Sequence, residues 1–336
     1  MILPSRPLAS CLAALALALT PGAAGAHAAD GGRAPQYVLI SFDGAGPIAQ
    51  WERSRALARA SGARFTYFLS CTFLLTPQTA ARYAGPRQRA GRSNIGFAQS
   101  REEVAERLRQ IWAARLEGHE IASHGCGHFD GAAWSGAEWA AELGAFETVL
   151  AEAWTLNDIP FEPAGWRRFA DDEIVGFRAP YLATGPALFA ALAEAGYRYD
   201  ASTVSRGPAE PTAGDGLWRY ALPMVPEGPQ QRPLIAMDYN LYVRHSGAEE
   251  RPDEAAAFEA RAYRAMRQAF DAAYAGARPP LQLGFHFTLM NGGAYWRALK
   301  RFAGEVCGMA EVRCVGHAAH LGLTRDAPQD DGALGG

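Results

Sequence analysis

Glu117 to Gly131 reads EGHEIASHGCGHFDG, and it places His124 and His128 four residues apart at the end of a short apolar run. Ile121 and Ala122 have the pattern of a buried strand end, while Gly125, Gly127 and Gly131 let the backbone turn tightly. Both imidazoles then sit on one turn, a spacing at which two rings can meet one metal ion. Neutral imidazole is the commonest protein ligand of zinc-like ions, and a catalytic site of that kind has three protein ligands and one open position. A third ligand is therefore expected from another segment.

On either side of this stretch the chain alternates between strand and helix patterns. Tyr37 to Phe42 (YVLISF) is a continuous apolar run, as in a strand covered on both faces, and it ends on Asp43 and Gly44. Arg64 to Leu75 is a second strand candidate, followed by a long insertion, Thr76 to Gln99, without apolar period. Ser100 with Glu103 and Ser135 with Glu138 read as capping boxes opening two helices on either side of the histidine strand. Ile174 to Phe177 predicts a short strand ending in Arg178, Ala179, Pro180 and Tyr181. Thr184 is expected to cap a helix through Leu188 and Leu192, after which Tyr197 to Tyr199 ends on Asp200. Gly216 to Val225 and Leu234 to Val243 alternate less cleanly, and their prolines suggest edge strands or rim loops. Asp253 to Tyr274 predicts a long helix, Leu281 to Phe287 a buried strand carrying His286, Ala294 to Val306 a last helix, and Val312 to Val315 a closing strand.

This alternation argues for an α/β fold of parallel strands wrapped by helices. Asp43, His124, His128, Arg178, Asp200 and His286 all fall at or near strand ends, which is where such folds carry their chemistry.

Met1 to Ala29 has one cation, Arg6, then an apolar run from Cys11 to Leu19 and small residues beyond it, which reads as a secretory signal peptide over residues 1–28. The domain is expected to span 29–325, with a disordered tail at 326–336, and the mature protein to be periplasmic or secreted without a membrane span. A net charge of −3 and the lack of a long basic run give no sign of a nucleic-acid partner. Export permits disulfides among Cys71, Cys126, Cys307 and Cys314. Sequential parallel strands are neighbours, so Cys71 is expected to pair with Cys126, and Cys307 with Cys314 across a short loop.

Five segments together resemble the polysaccharide deacetylases of the NodB-homology type, carbohydrate esterase family four. S-F-D-G at Ser41 to Gly44 resembles T-F-D-D, H-G-C-G-H resembles H-[ST]-x-x-H, and F-R-A-P-Y at Phe177 to Tyr181 resembles R-x-P-Y. Tyr199 to Ser202 and the F-H-F around His286 resemble the last two motifs. The resemblance implies a distorted (β/α) barrel of seven or so parallel strands and a metal-dependent hydrolase that removes N- or O-linked acetyl groups from a polysaccharide. It implies that His124 and His128 bind a divalent metal, zinc first, that Asp43 is general base and His286 general acid, that Arg178 orients Asp43, and that Asp200 stands behind His286. Pro180 and Tyr181 would contact substrate, the Tyr181 N–H sharing the oxyanion. Gly44 stands where the family has its second aspartate, the third metal ligand. That departure leaves three readings, in which Asp43 itself ligates the metal, a water fills the gap, or the chain is an inactive carbohydrate-binding protein on the same scaffold; the fold also hosts amidohydrolases acting on non-sugar C–N bonds.

Overall fold

Strand β1 (Gln36–Gly44) is buried along almost its whole length, as its apolar run requires. It is the axis of the sheet in a computed structural model that describes residues 33–323. The expected signal peptide and tail lie outside the described residues. From Ala34 onward the described residues form one compact unit.

On one side of β1 run β2 (Thr66–Leu69), β3 (Glu120–Ser123), β4 (Gly176–Phe177) and β5 (Tyr199–Ser205), each parallel to its neighbour. Next to β5 and parallel to it runs the long β7 (Leu217–Glu227), which pairs antiparallel with β6 (Thr212–Gly214) and turns back into β8 (Arg232–Ile235). On the other side of β1 lie β9 (Leu281–His286) and, below it, β10 (Val312–Cys314). The curl closes irregularly: Met237 bridges Gly284 of β9, and the Gln282 amide donates to the Ala221 carbonyl of β7 at 2.7 Å. Among the described residues eight strands (β1, β2, β3, β4, β5, β7, β9 and β10) run parallel to a neighbour, and they make the distorted (β/α) barrel that the motifs implied.

Helices Ile48–Ser61, Arg101–Leu116, Gly136–Leu156, Pro186–Glu194, Ala255–Ala275 and Met290–Val306 pack outside. Phe42 is the hub of the core between them and the sheet, with Phe65, Tyr67, Phe285, Phe287 and Trp296 rings 5.0 to 6.0 Å away. Burying each such ring contributes on the order of 2 kcal/mol. Ser135 and Glu138 form the full capping box. Ser100 accepts from Glu103 N–H, but the Glu103 carboxylate takes the Gln99 N–H instead of returning to Ser100. Thr184 caps nothing: Gly185 is the cap and Pro186 the first helical residue, a position proline favours because it has no N–H to leave unsatisfied. The segment Leu234 to Val243 is a correction of larger consequence, since only its start is strand and Asp238–Ser246 is a helix. No helix among the described residues is long and apolar enough to cross a membrane.

Candidate active site

The strand register fixes the centre of the site. Asp43 and His286 are direct partners across the parallel pair β1 and β9, so one carboxylate and one imidazole rise side by side from neighbouring strand ends. Arg178 follows β4 and is wholly buried. Its Nη1 donates to Asp43 Oδ1 at 2.8 Å and to Ser41 Oγ at 2.7 Å, its Nε to the Ala201 carbonyl at 2.9 Å, and its guanidinium lies 4.3 Å over the Phe68 ring. Burial opposes ionisation of Asp43, but the Arg178 guanidinium beside it, with its charge and hydrogen bond, leads the opposing effects that outweigh burial and hold the carboxyl below its ordinary value.

His124 leaves the end of β3 with its N–H on the Leu69 carbonyl. Its Nδ1 is 2.7 Å from the Arg178 carbonyl, which can only accept, so Nδ1 carries the hydrogen and Nε2 presents a lone pair. Burial drives its pKa down to about 3, so the ring is neutral. The His128 ring centroid is 5.2 Å from that of His124, and burial lowers its pKa too. His128 adopts φ 55°, left-handed for a non-glycine residue, and its Nδ1 is buried with no hydrogen-bond partner. The Tyr181 ring is 4.8 Å from His128 and 60% exposed, just after Pro180.

An orphaned buried ring nitrogen, beside an imidazole whose other nitrogen is committed to a carbonyl, is the donor chemistry of a histidine metal pair. The pair is not extended to a trio. Among the described residues no three His, Cys, Asp or Glu side chains gather to hold a metal ion. Gly44 offers no side chain, and Cys126 is withdrawn by its disulfide to Cys71. The residues fit a metal in kind, as two neutral imidazoles, and fall one protein ligand short of the usual three.

The structure moves one role to a different residue. Asp200 is not behind His286: its two oxygens accept from Ser202 Oγ at 2.6 Å and Ser202 N–H at 3.0 Å, and the Ser202 hydroxyl in turn accepts the Ala179 N–H at 2.7 Å. Asp200 therefore braces the Arg178–Tyr181 turn, and burial raises its pKa to about 6. The group behind His286 is Asp238, in the first turn of helix Asp238–Ser246. Its signal was in the sequence: an acid at a helix start, Leu241 and His245 at helical spacing, and Gly247 as stop.

No family model matches the chain, and no curated protein matches it. Solved structures do. A protein of Mycobacterium smegmatis described as a polysaccharide deacetylase superposes with a TM-score of 0.52 at 20% identity, covering 87% of this chain and 95% of that one. An allantoinase follows at TM-score 0.49 and 16% identity, covering 84% and 88%. A mutant of a carbohydrate esterase family 4 pseudoenzyme, with restored enzymatic activity, gives 0.45 at 12% identity, covering 87% and 70%; the wild-type pseudoenzyme is from Bacillus anthracis. The chain shares its fold with the polysaccharide deacetylase of Mycobacterium smegmatis, the kind of protein its five motifs resemble.

Proposed function

We propose that this chain is a secreted, metal-dependent hydrolase that removes acetyl groups from a polysaccharide. The observation that carries the reading is the Asp43–His286 register pair, an acceptor and a donor of protons side by side with their pKa values displaced in opposite directions. Asp43, kept ionised by Arg178, takes the proton of the attacking water. His286, kept protonated by Asp238, returns a proton to the leaving nitrogen or oxygen of the sugar. The Tyr181 N–H shares the oxyanion. His124 and His128 would hold a divalent ion, zinc by the preference of imidazole ligands, and such an ion would polarise the acetyl carbonyl and acidify water. Tyr181 and Tyr239 are half-exposed beside His128 and His286 respectively, giving two aromatic walls for sugar rings.

Metal analysis of purified protein, followed by acetate release from chitooligosaccharide, xylan and peptidoglycan, tests the reading. Release that chelation abolishes is expected. Binding to one of these glycans without acetate release would favour the inactive carbohydrate-binding protein, to which the missing third ligand points. Turnover confined to small non-sugar amides would favour an amidohydrolase.

A further inference from the structure

The five residues from His124 to His128 are wired to the rest of the barrel through their backbone. The His124 N–H donates to Leu69, the Gly125 carbonyl accepts from Cys71 at 3.0 Å, the Cys126 carbonyl from Thr72 Oγ1 at 3.0 Å, and the Gly127 and His128 carbonyls from the Asn94 N–H at 2.8 Å and Asn94 Nδ2 at 3.0 Å. The two innermost N–H groups, of Cys126 and Gly127, find no carbonyl. They converge on one carboxylate oxygen, Glu142 Oε1, at 2.7 and 3.3 Å, while Glu142 Oε2 accepts from the Tyr83 hydroxyl at 2.8 Å and that hydroxyl accepts the Gly127 N–H at 3.0 Å. Glu142 is 3% exposed on helix Gly136–Leu156, Tyr83 is fully buried on the 76–99 insertion, and the loop approaches so closely that a Cβ on Gly127 would meet the Tyr83 hydroxyl at 2.5 Å.

A buried carboxylate is costly unless several donors compensate it, and Glu142 has three, two of them loop backbone groups. His128 meanwhile sits in a left-handed conformation that costs roughly 1 kcal/mol and persists only where its surroundings fix it. We propose that Glu142, together with Tyr83, is a positioning residue: it clamps the Cys126 and Gly127 amides and thereby holds His124 and His128 facing one another. This goes beyond the proposed function, because no motif of the resemblance includes either residue.

The test uses Glu142→Gln and Tyr83→Phe, which keep side-chain volume, in the full chain. Two readouts separate the clamp from the metal reading: amide hydrogen exchange at Cys126 and Gly127 without metal, and the dissociation constant and absorption spectrum of added Co2+. Exchange at these two amides should accelerate by about tenfold or more, the scale of one charge-assisted hydrogen bond, while helix Ala255–Ala275 keeps its protection. Co2+ binding should weaken with an altered spectrum. Unchanged exchange in both variants overturns the clamp, as does acceleration spread equally over all helices, which would mark a purely structural role. Should the parent bind no Co2+, the metal reading fails and the exchange data alone decide the clamp.

Discussion

The Asp238 carboxylate holds His286 twice, accepting from the imidazole Nδ1–H at 2.6 Å and from the backbone N–H at 2.9 Å. Burial works against the imidazolium, yet the Asp238 charge and hydrogen bond, helped by Asp43, outweigh it and hold the pKa above the ordinary 6.5. A group with a raised pKa keeps its proton until the pH passes that raised value, so the basic limb of kcat/KM should lie above pH 6.5. Asp238→Asn removes the charge that raises it and should carry the basic limb to lower pH, with the acidic limb, set by the depressed Asp43, unmoved. A basic limb in the same place would disconnect Asp238 from the proton donor.

Asp43→Asn and His286→Ala should each lower turnover by roughly a hundredfold or more, the usual scale for losing general acid or base help. Asp43→Asn also leaves Arg178 buried beside a neutral amide. Some loss of thermal stability is therefore expected with it, and also with His286→Ala, which leaves the buried Asp238 carboxylate without its imidazole partner. Turnover equal to the parent on a substrate the parent cleaves would remove that residue from the mechanism.

The parts of this fold legible in sequence were those whose residues act locally. The YVLISF run, the Ser135–Glu138 box and the proximity of His124 to His128 need no knowledge of distant partners, and the strand-neighbour argument was enough to place Cys71 against Cys126. Asp200 shows where such reading ends. Its position after a strand is right for chemistry, but a bulge between Asp200 and Thr203 turns the following chain so that Ser202 takes up both carboxylate oxygens. Asp238 reaches His286 from a helix inserted after the β7–β8 hairpin, 48 residues away in sequence, and no local pattern encodes that approach. Glu142 and Tyr83 were invisible for the same reason, since helix periodicity marks Glu142 only as one more turn of a helix.

Metal content gives a third expectation. The parent should hold about one divalent ion per chain, and alanine at both His124 and His128 should abolish it. Retention of the parent's metal by the double variant, measured by elemental analysis after gel filtration, would place the ion elsewhere.

The two disulfides should differ in worth. Cys71–Cys126 closes a separation of 55 residues and Cys307–Cys314 one of 7. Loop-closure entropy then assigns about 4 kcal/mol to the first and about 2.5 kcal/mol to the second. Cys71→Ser/Cys126→Ser should lower Tm more than Cys307→Ser/Cys314→Ser, and it alone should weaken Co2+ binding, since Cys126 lies between the two imidazoles. Equal losses of Tm with Co2+ affinity intact in both would mean that the remaining contacts hold the loop without the bridge.

Gly44→Asp is the most direct probe of the incomplete ligand set. Gly44 adopts φ +83°, and a Cβ built there meets nothing nearer than the Phe73 ring at 3.9 Å, so the obstacle is backbone strain and not space. The conformation cannot relax easily, because the Gly44 carbonyl accepts the Ser70 N–H at 3.1 Å. Aspartate is among the residues that tolerate the left-handed region best, and the cost is on the order of 1 kcal/mol, seen as a modest fall in Tm. Against that cost stands a carboxylate beside Asp43, where two neutral imidazoles lack a third donor. Co2+ and Zn2+ affinity should rise by at least about tenfold, a change of about 1.4 kcal/mol that one added charged ligand readily exceeds. The rise should disappear when His124→Ala is combined with it. A dissociation constant unchanged by Gly44→Asp would show that another donor already occupies the third position, and Asp43, swung from Arg178 toward the ion, would be the first to examine by substitution.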